Sequence, residues 1–272
     1  MTADLPDLGV GIGFREAFRS DLFRRRDAVD FLEITSDHYL DANRFKRDEL
    51  ELLRDHFTLV PHSLDLSLGS AEGIDGNYLD KLAGLISAVD PPWFSDHLCF
   101  TRSGGTAIGH LAPVPYTNEA IRVFKRNIAD VRSVIDAPLI LENISYLMTF
   151  PASEMTEAEF ITRILDESDC GLLLDVTNLH VNSQNFGFCP LEFIDSLPAD
   201  RVVQIHFVGS RRHGKRLIDA HLDPTEDAVW ELFCEAAQRF AIRGAVLERD
   251  GNFPDFDELV GELETARGFL SR

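Results

Sequence analysis

The chain has 272 residues, a length that suits one α/β barrel or two small domains. An apolar content of 44% with 26% charged residues is that of a soluble globular protein. A formal net charge of −20 repels phosphate backbones and anionic lipid surfaces, so neither nucleic acid nor a membrane is an expected partner.

The opening residues, MTADLPDLGVGIGF, show no basic segment followed by an apolar one, so no secretory signal is expected. Within them residues 8–14 alternate apolar side chains with glycine, as a strand in a crowded place does. Residues 16–26 follow a helical pattern ending in Arg24, Arg25 and Arg26. Residues 31–35, FLEIT, read as a second strand carrying Glu33, and residues 44–56 as a helix. Residues 58–67, TLVPHSLDLS, read as a third strand with His62, although Pro61 inside it argues for an edge or a bulge. A helix over 79–89 leads to a fourth strand, WFSDHLCF, with Asp96 and His97 pointing opposite ways.

Residues 101–116 read as a long loop. Residues 118–135 place Ile121, Phe124, Ile128, Val131 and Ile135 on one helical face. The fifth strand, PLILENIS, carries Glu142 and Asn143, and Thr156 with Glu159 forms a capping box for the helix after it. Residues 170–182, CGLLLDVTNLHVN, read as a sixth strand, buried on both sides and delivering Asp175, Asn178 and His180. Asp175 is either a buried cap for the next loop or, with the amide and imidazole beyond it, part of a divalent-metal site. A short helix over 191–197 precedes the seventh strand, RVVQIHFVG, with His206. A basic loop, SRRHGKR, and then Asp219 and His221 come next. A helix over 226–240, an eighth strand AVLERD with Glu248, and a helix over 257–269 close the chain.

Strands alternating with helices imply a parallel sheet, and eight such units in roughly 250 residues predict a (β/α)8 TIM barrel, one domain over residues 1–272. An open doubly wound sheet would call for a GxGxxG opening, and GVGIGF lacks that spacing. The four cysteines, Cys99, Cys170, Cys189 and Cys234, are scattered and none lies in a CxxC pair, so the expected setting is a reducing cytoplasm.

In a barrel the C-terminal strand ends meet at one mouth. A lone buried histidine is commonly a satisfied core residue. Several carboxylates and imidazoles meeting at one mouth are harder to explain that way, because packed carboxylates repel and raise one another's pKa. Divalent cations remove that repulsion. The nitrogen and oxygen donors suit iron, manganese or zinc, and their number suits two or three ions. Arg211, Arg212, Lys215 and Arg216, in the basic loop, are either solvated or a docking patch for an acidic partner.

These residues sit in segments that resemble a known family. GVGIGFR, FLEIT, PHSLDLSLGS, WFSDHLCF, LAPVPYT, LILENIS, FPASEMTEAEF, CGLLLDVTNLHVN, VVQIHFVG, LIDAH and LERDGN together are similar to the multinuclear non-heme iron-dependent oxidative enzymes, which include the methanobactin-maturing oxidase. The resemblance implies a barrel related to xylose isomerase and endonuclease IV. It implies metal ligands at His62, His97, Glu142, Asp175, Asn178, His206, Asp219, His221 and Glu248, with His62, Glu142, Asp175, His206 and Glu248 central to catalysis. The cofactor implied is two or three iron ions, mixed Fe(II) and Fe(III), with O2 as co-substrate. The substrate implied is a cysteine-containing, ribosomally made precursor peptide, with a partner protein that recruits its leader. His38, Asp96, Asn143, His180, Arg211 and Arg212 are expected around the ligands or the substrate. Thr177 and His180 depart from the family's DVNNxY form, and His38 stands where many members carry Asn. The alternatives are a metal-dependent hydrolase or sugar isomerase on the same barrel, and a non-catalytic metal-binding subunit of a maturation complex.

Overall fold

The computed structural model describes residues 4–271. Eight parallel strands close into a barrel: β1 (Gly9–Gly13), β2 (Leu32–Thr35), β3 (Leu59–His62), β4 (Phe94–His97), β7 (Leu139–Glu142), β8 (Gly171–Asp175), β9 (Val202–Phe207) and β12 (Gly244–Leu247). Their order around the barrel is their order in the chain, as a run of strand–helix units dictates. Each of the eight strand readings falls on one of these strands. No helix among the described residues is long and apolar enough to cross a membrane.

Two details of the wall follow from residue type. A Cβ on Gly11 would lie 2.5 Å from the Phe31 carbonyl oxygen, so only glycine lets β1 and the start of β2 approach this closely. Pro61 is in a wall strand, not at an edge. His62 O accepts from Ser36 N–H and Ser63 N–H donates to Ser95 O, so Pro61 turns its missing donor toward β4. That seam is thin, with one registered pair, His62 with Ser95.

Two antiparallel hairpins stand where loops were expected. β5 (Phe100–Ser103) pairs with β6 (Thr106–Ala112), and β10 (Gly209–His213) with β11 (Arg216–Asp223). The expected sixth strand also ends early. Past Asp175 the chain becomes a helix, Val176–Phe186, because the Asp175 side chain accepts the Asn178 N–H and caps it. Asn178 and His180 are therefore helical residues. The Thr156–Glu159 capping box forms at the start of the helix Glu157–Ser168.

The core has two parts. One lies between the barrel wall and the helices that cover it. The other fills the bottom of the barrel, where Phe31, Val60, Trp93, Ile140, Leu173, Val203 and Val246 pack together. This apolar floor supports the polar layer above it.

Candidate metal centre

Side chains on a strand alternate faces, so the residue two positions on points into the same barrel interior one layer higher. Phe31 is followed in this way by Glu33, Val60 by His62, Ile140 by Glu142, Leu173 by Asp175 and Val246 by Glu248. Beside Leu173 the pairing of β8 with β9 shifts register, so that Val203 and Gln204 both belong to the interior and His206 follows. All the polar residues of this layer are buried.

Glu142 is at its centre. Glu142 Oε2 is 3.5 Å from His62 Nε2 and 3.4 Å from His97 Nε2, and Oε1 is 3.5 Å from His206 Nδ1. His206 Nδ1 is also 3.0 Å from Glu248 Oε2. Two groups can each offer donor atoms within 4.8 Å of one another: His62, His97 and Glu142, and then Glu142, Asp175, His206 and Glu248. Glu142 is common to both.

Several polar atoms here are not satisfied by the others. Glu142 Oε2, Asp175 Oδ2, Asn178 Oδ1, His97 Nδ1 and Asp219 Oδ1 are buried with no hydrogen-bond partner. Buried polar atoms are ordinarily paired, and orphans of this kind call for an explanation such as an ion. The donors are all nitrogen and oxygen, which fits first-row divalent metals such as iron, manganese or zinc.

The electrostatics agree with cation sites. Burial pushes the Asp175 carboxyl well above its ordinary range, and the charges of Asp219 and Glu142 push it further. Burial likewise raises Asp219. It opposes ionisation of Glu142 and Glu248 too, but the imidazoles of His206 and His97 beside the first, and of His206 and His221 beside the second, hold both low. Burial would strip protons from His206 and His221, yet Glu248 with Glu33 around the former, and Asp219 with Glu248 around the latter, keep both well above the usual histidine value. In the metal-free protein these imidazole protons offset the carboxylates. A bound cation would take their place and release them.

Hairpin β10–β11 closes one side. Asp219 and His221 alternate onto the same face of β11; His221 Nε2 is 2.7 Å from Asp219 Oδ2 and 3.8 Å from Glu248 Oε2. Its Nδ1 lies 3.1 Å from Asp250 Oδ2, and Arg15 Nε donates to the other oxygen of Asp250 at 2.8 Å. Behind the ligand candidates, His62 Nδ1 is 2.7 Å from Ser95 Oγ. Asn143 Nδ2 donates to the Asp175 carbonyl and its Oδ1 accepts the Asp175 N–H, both at 2.9 Å. A cavity of about 410 Å³ opens above the cluster, with Arg15, Thr35, His38, Leu64, Leu111 and Ser145 on its walls.

The structure thus brings His62, His97, Glu142, Asp175, Asn178, His206, Asp219, His221 and Glu248 to one mouth, with His38 on its rim. Three other expected residues lie elsewhere. Asp96 faces away, accepting the N–H groups of His97 at 2.6 Å and Leu66 at 3.2 Å, and so holds the loop after β3. His180 turns to Glu226, 3.7 Å away, because the helix Val176–Phe186 carries it off the face that Asn178 occupies. Arg211 is tied to Asp223 by two bonds of 2.6 Å, which leaves Arg212 as the exposed arginine of that pair. Glu33, Gln204 and Asp250, whose alternation along their strands lets them point inward, line the centre together with Arg15, although none of the four was expected as a ligand or a supporting residue. The signal for Glu33, Gln204 and Asp250 was their spacing of two residues from Phe31, His206 and Glu248 along their strands.

The family model for the RiPP precursor modification enzymes MbnB/TglH/ChrH matches residues 9–271. The chain belongs to this family. A UPF0276 protein of Caulobacter vibrioides (strain NA1000 / CB15N) is 40% identical over 260 residues, covering 95% of this chain and 93% of that one. A UPF0276 protein of Anaeromyxobacter sp. (strain Fw109-5) is 38% identical over 259 residues, covering 95% and 92%. Among solved structures, D-psicose 3-epimerase with D-tagatose from Clostridium cellulolyticum H10 superposes with a TM-score of 0.61 at 11% identity, covering 97% of this chain and 98% of that one. Endonuclease IV from Thermus thermophilus gives 0.58 at 13%, covering 97% and 99%. At such identities the likeness is one of fold, the xylose-isomerase-like TIM barrel. Family membership implies a precursor peptide as substrate.

Proposed function

We propose that this protein is a multinuclear iron enzyme that uses O2 to oxidise cysteine in a ribosomally made precursor peptide, and that residues 1–272 form one metalloenzyme domain. The observation that carries the reading is the position of Glu142. Its two carboxylate oxygens face two separate donor groups, which is what a carboxylate shared between two cations requires. His62 and His97 would hold one ion with Glu142. Asp175, His206 and Glu248 would hold another, and Asn178, Asp219 and His221 would complete the coordination. Iron held there supplies redox equivalents for O2 and Lewis acidity toward a thiol. The protein's own part is to keep the donors fixed on strand ends and to shield them with Leu64 and Leu111.

More than one iron per chain is therefore expected after anaerobic purification, with O2 uptake when the peptide is added. Metal analysis beside an oxygen electrode checks both. One zinc and no iron, under aerobic and anaerobic conditions alike, would sink the proposal and leave a hydrolase or isomerase as the reading. Metal without O2 uptake in the presence of peptide and partner would point to a non-catalytic subunit.

The recruiting partner or leader would meet the tip of hairpin β10–β11. Arg212 and Lys215 are exposed there in an otherwise acidic protein. Arg211 is occupied by Asp223, and Arg216 donates to the Leu147 carbonyl at 2.6 Å, so both hold the hairpin in place. Exposed ion pairs contribute only ~0.2–1 kcal/mol each. Reversing Arg212 and Lys215 to Glu together should slow association with an acidic leader or partner several-fold at low salt and flatten its salt dependence. Metal content should not change. Association rates equal to the parent's across a salt series would show these side chains to be merely solvated.

A further inference from the structure

We infer that Glu33, held in place through Gln204 by Trp93, is a positioning residue that keeps the proton of His206 on Nε2 and so leaves Nδ1 as the nitrogen offered to a cation. The inference rests on His206 being a metal ligand, as proposed above.

The argument begins from the one group in this network with a fixed role. An indole N–H can only donate. Trp93 Nε1 lies 2.7 Å from the side-chain oxygen of Gln204, deep in the barrel floor, so that oxygen is the acceptor and the amide cannot be turned around. The Gln204 NH2 group must therefore face the other way. There it donates to Glu33 Oε2 at 2.7 Å and lies 3.0 Å from His206 Nε2.

His206 Nε2 consequently sits between a donor, the Gln204 amide, and an acceptor, Glu33 Oε2 at 2.9 Å. When a cation displaces one proton of the imidazole, two neutral tautomers compete. With the proton on Nδ1, Nε2 would accept from Gln204, and Nδ1 could bind no cation. With the proton on Nε2, the imidazole donates to Glu33, and the Nδ1 lone pair faces Glu248 and Glu142. Without a cation both nitrogens face carboxylates, Nδ1 that of Glu248 at 3.0 Å. A cation that takes up Glu248 and Glu142 leaves Glu33 as the carboxylate still open to the imidazole proton, and so favours the second tautomer. Both side chains are buried, Glu33 2% and His206 0% exposed, so water cannot take over either role.

The Nδ1 atom of His206 points at Glu248 Oε2, 3.0 Å away, and Glu142 Oε1, 3.5 Å away, the atoms that would share a cation with it. Partners of this kind, accepting from the far nitrogen of a ligating histidine, orient the ring and raise its basicity, and losing one typically lowers metal affinity about 10–100-fold.

Zinc(II) is the probe, since it is diamagnetic and needs no peptide, O2 or turnover. In the zinc-loaded parent labelled with 15N-histidine, His206 should show a protonated Nε2 and a metal-bound Nδ1. Competition with a chelator should show zinc affinity about 10–100-fold lower for Glu33→Gln at the position His206 serves. The exchanged pair, Glu33→Gln with Gln204→Glu, returns a carboxylate to the other side of Nε2 while Trp93 still donates to residue 204. It should regain most of the lost affinity.

A metal-bound Nε2 in the parent, or Glu33→Gln binding zinc as the parent does, would overturn the inference. So would loss in the single variant with no recovery in the exchanged pair. The parent spectrum alone decides the tautomer even if a variant does not fold. A parent that binds no metal at all would instead bring down the proposed function on which the inference stands.

Discussion

Replacing Glu142 by Ala is expected to empty both cation positions at once and to abolish turnover. Most single ligand losses should be local. In Glu248→Ala, for example, the group of His62, His97 and Glu142 keeps all its donors. Glu142 differs because it supplies a donor to each group, and because it is the anion that the three imidazoles around it share: the His62 and His97 rings are 4.6 Å apart and those of His62 and His206 5.5 Å apart. Without the carboxylate, the first cation would have only the imidazoles of His62 and His97, and no shared anion would balance its repulsion from a second cation held by Asp175, His206 and Glu248. The loss of affinity should exceed the about 100-fold that can follow removal of a supporting partner. The fold should survive. Removing one partner of a buried ion pair costs up to about 3–5 kcal/mol, but here His206 can shed its proton instead, so the cost stays below that range. Iron per chain, measured beside the melting temperature of the metal-free protein, checks both statements. If Glu142→Ala keeps the parent's iron, or loses no more than Glu248→Ala does, Glu142 is not shared.

The barrel could be read from the chain because its strands are short, apolar and bounded by turn residues, and because a closed parallel sheet leaves no room for other patterns. What could not be read was whatever depends on how an element ends. Residues 176–182 look like a continuation of the β8 strand, since Leu179 and Val181 continue the apolar run. The switch to helix is made by one side chain, Asp175, which accepts the Asn178 N–H at 2.6 Å. That switch is why Asn178 reaches the mouth while His180 ends beside Glu226. The hairpins were hidden for a different reason. Residues 106–110 of β6 are exposed and have no apolar alternation to betray a strand. Their signal was the Gly104-Gly105 pair at the turn, both in the left-handed region. Glu33 was visible as a polar residue in an apolar strand, but its role depends on Trp93 and Gln204, which are far from it in sequence and beside it only in the closed barrel.

Asp175→Asn is expected to lose metal and yet to make the metal-free protein more stable above the ordinary carboxylate range. The side chain is 0% exposed, and its two oxygens have different work. Oδ1 accepts the Asn178 N–H and starts the helix Val176–Phe186, a role asparagine fills as well as aspartate. Oδ2 has no partner. A buried acceptor left unsatisfied costs about 1–3 kcal/mol, and here the acceptor also carries charge among like charges. Burial, with Asp219 and Glu142 nearby, raises the folded-state pKa of Asp175 well above the unfolded value of ~3.9. The sign follows from proton linkage: the folded protein holds this proton more tightly than the unfolded chain. Stability from the protonated group is fully present below the unfolded pKa, and is lost as pH rises from there through the folded pKa. Asparagine cannot ionise, and it turns an amide N–H toward the neighbouring carboxylates. At pH 8, without metal, the variant should melt higher than the parent by on the order of 5 °C, with the difference shrinking toward pH 4. With metal the order should reverse, since the parent alone gains the free energy of binding. Melting curves at two pH values, with and without ferrous iron under anaerobic conditions, give all four comparisons. A metal-free variant that melts below the parent at pH 8 would mean that the Asp175 charge serves the fold. A higher melting temperature, joined to loss of iron, would mean that its cost is borne by the protein to hold a cation.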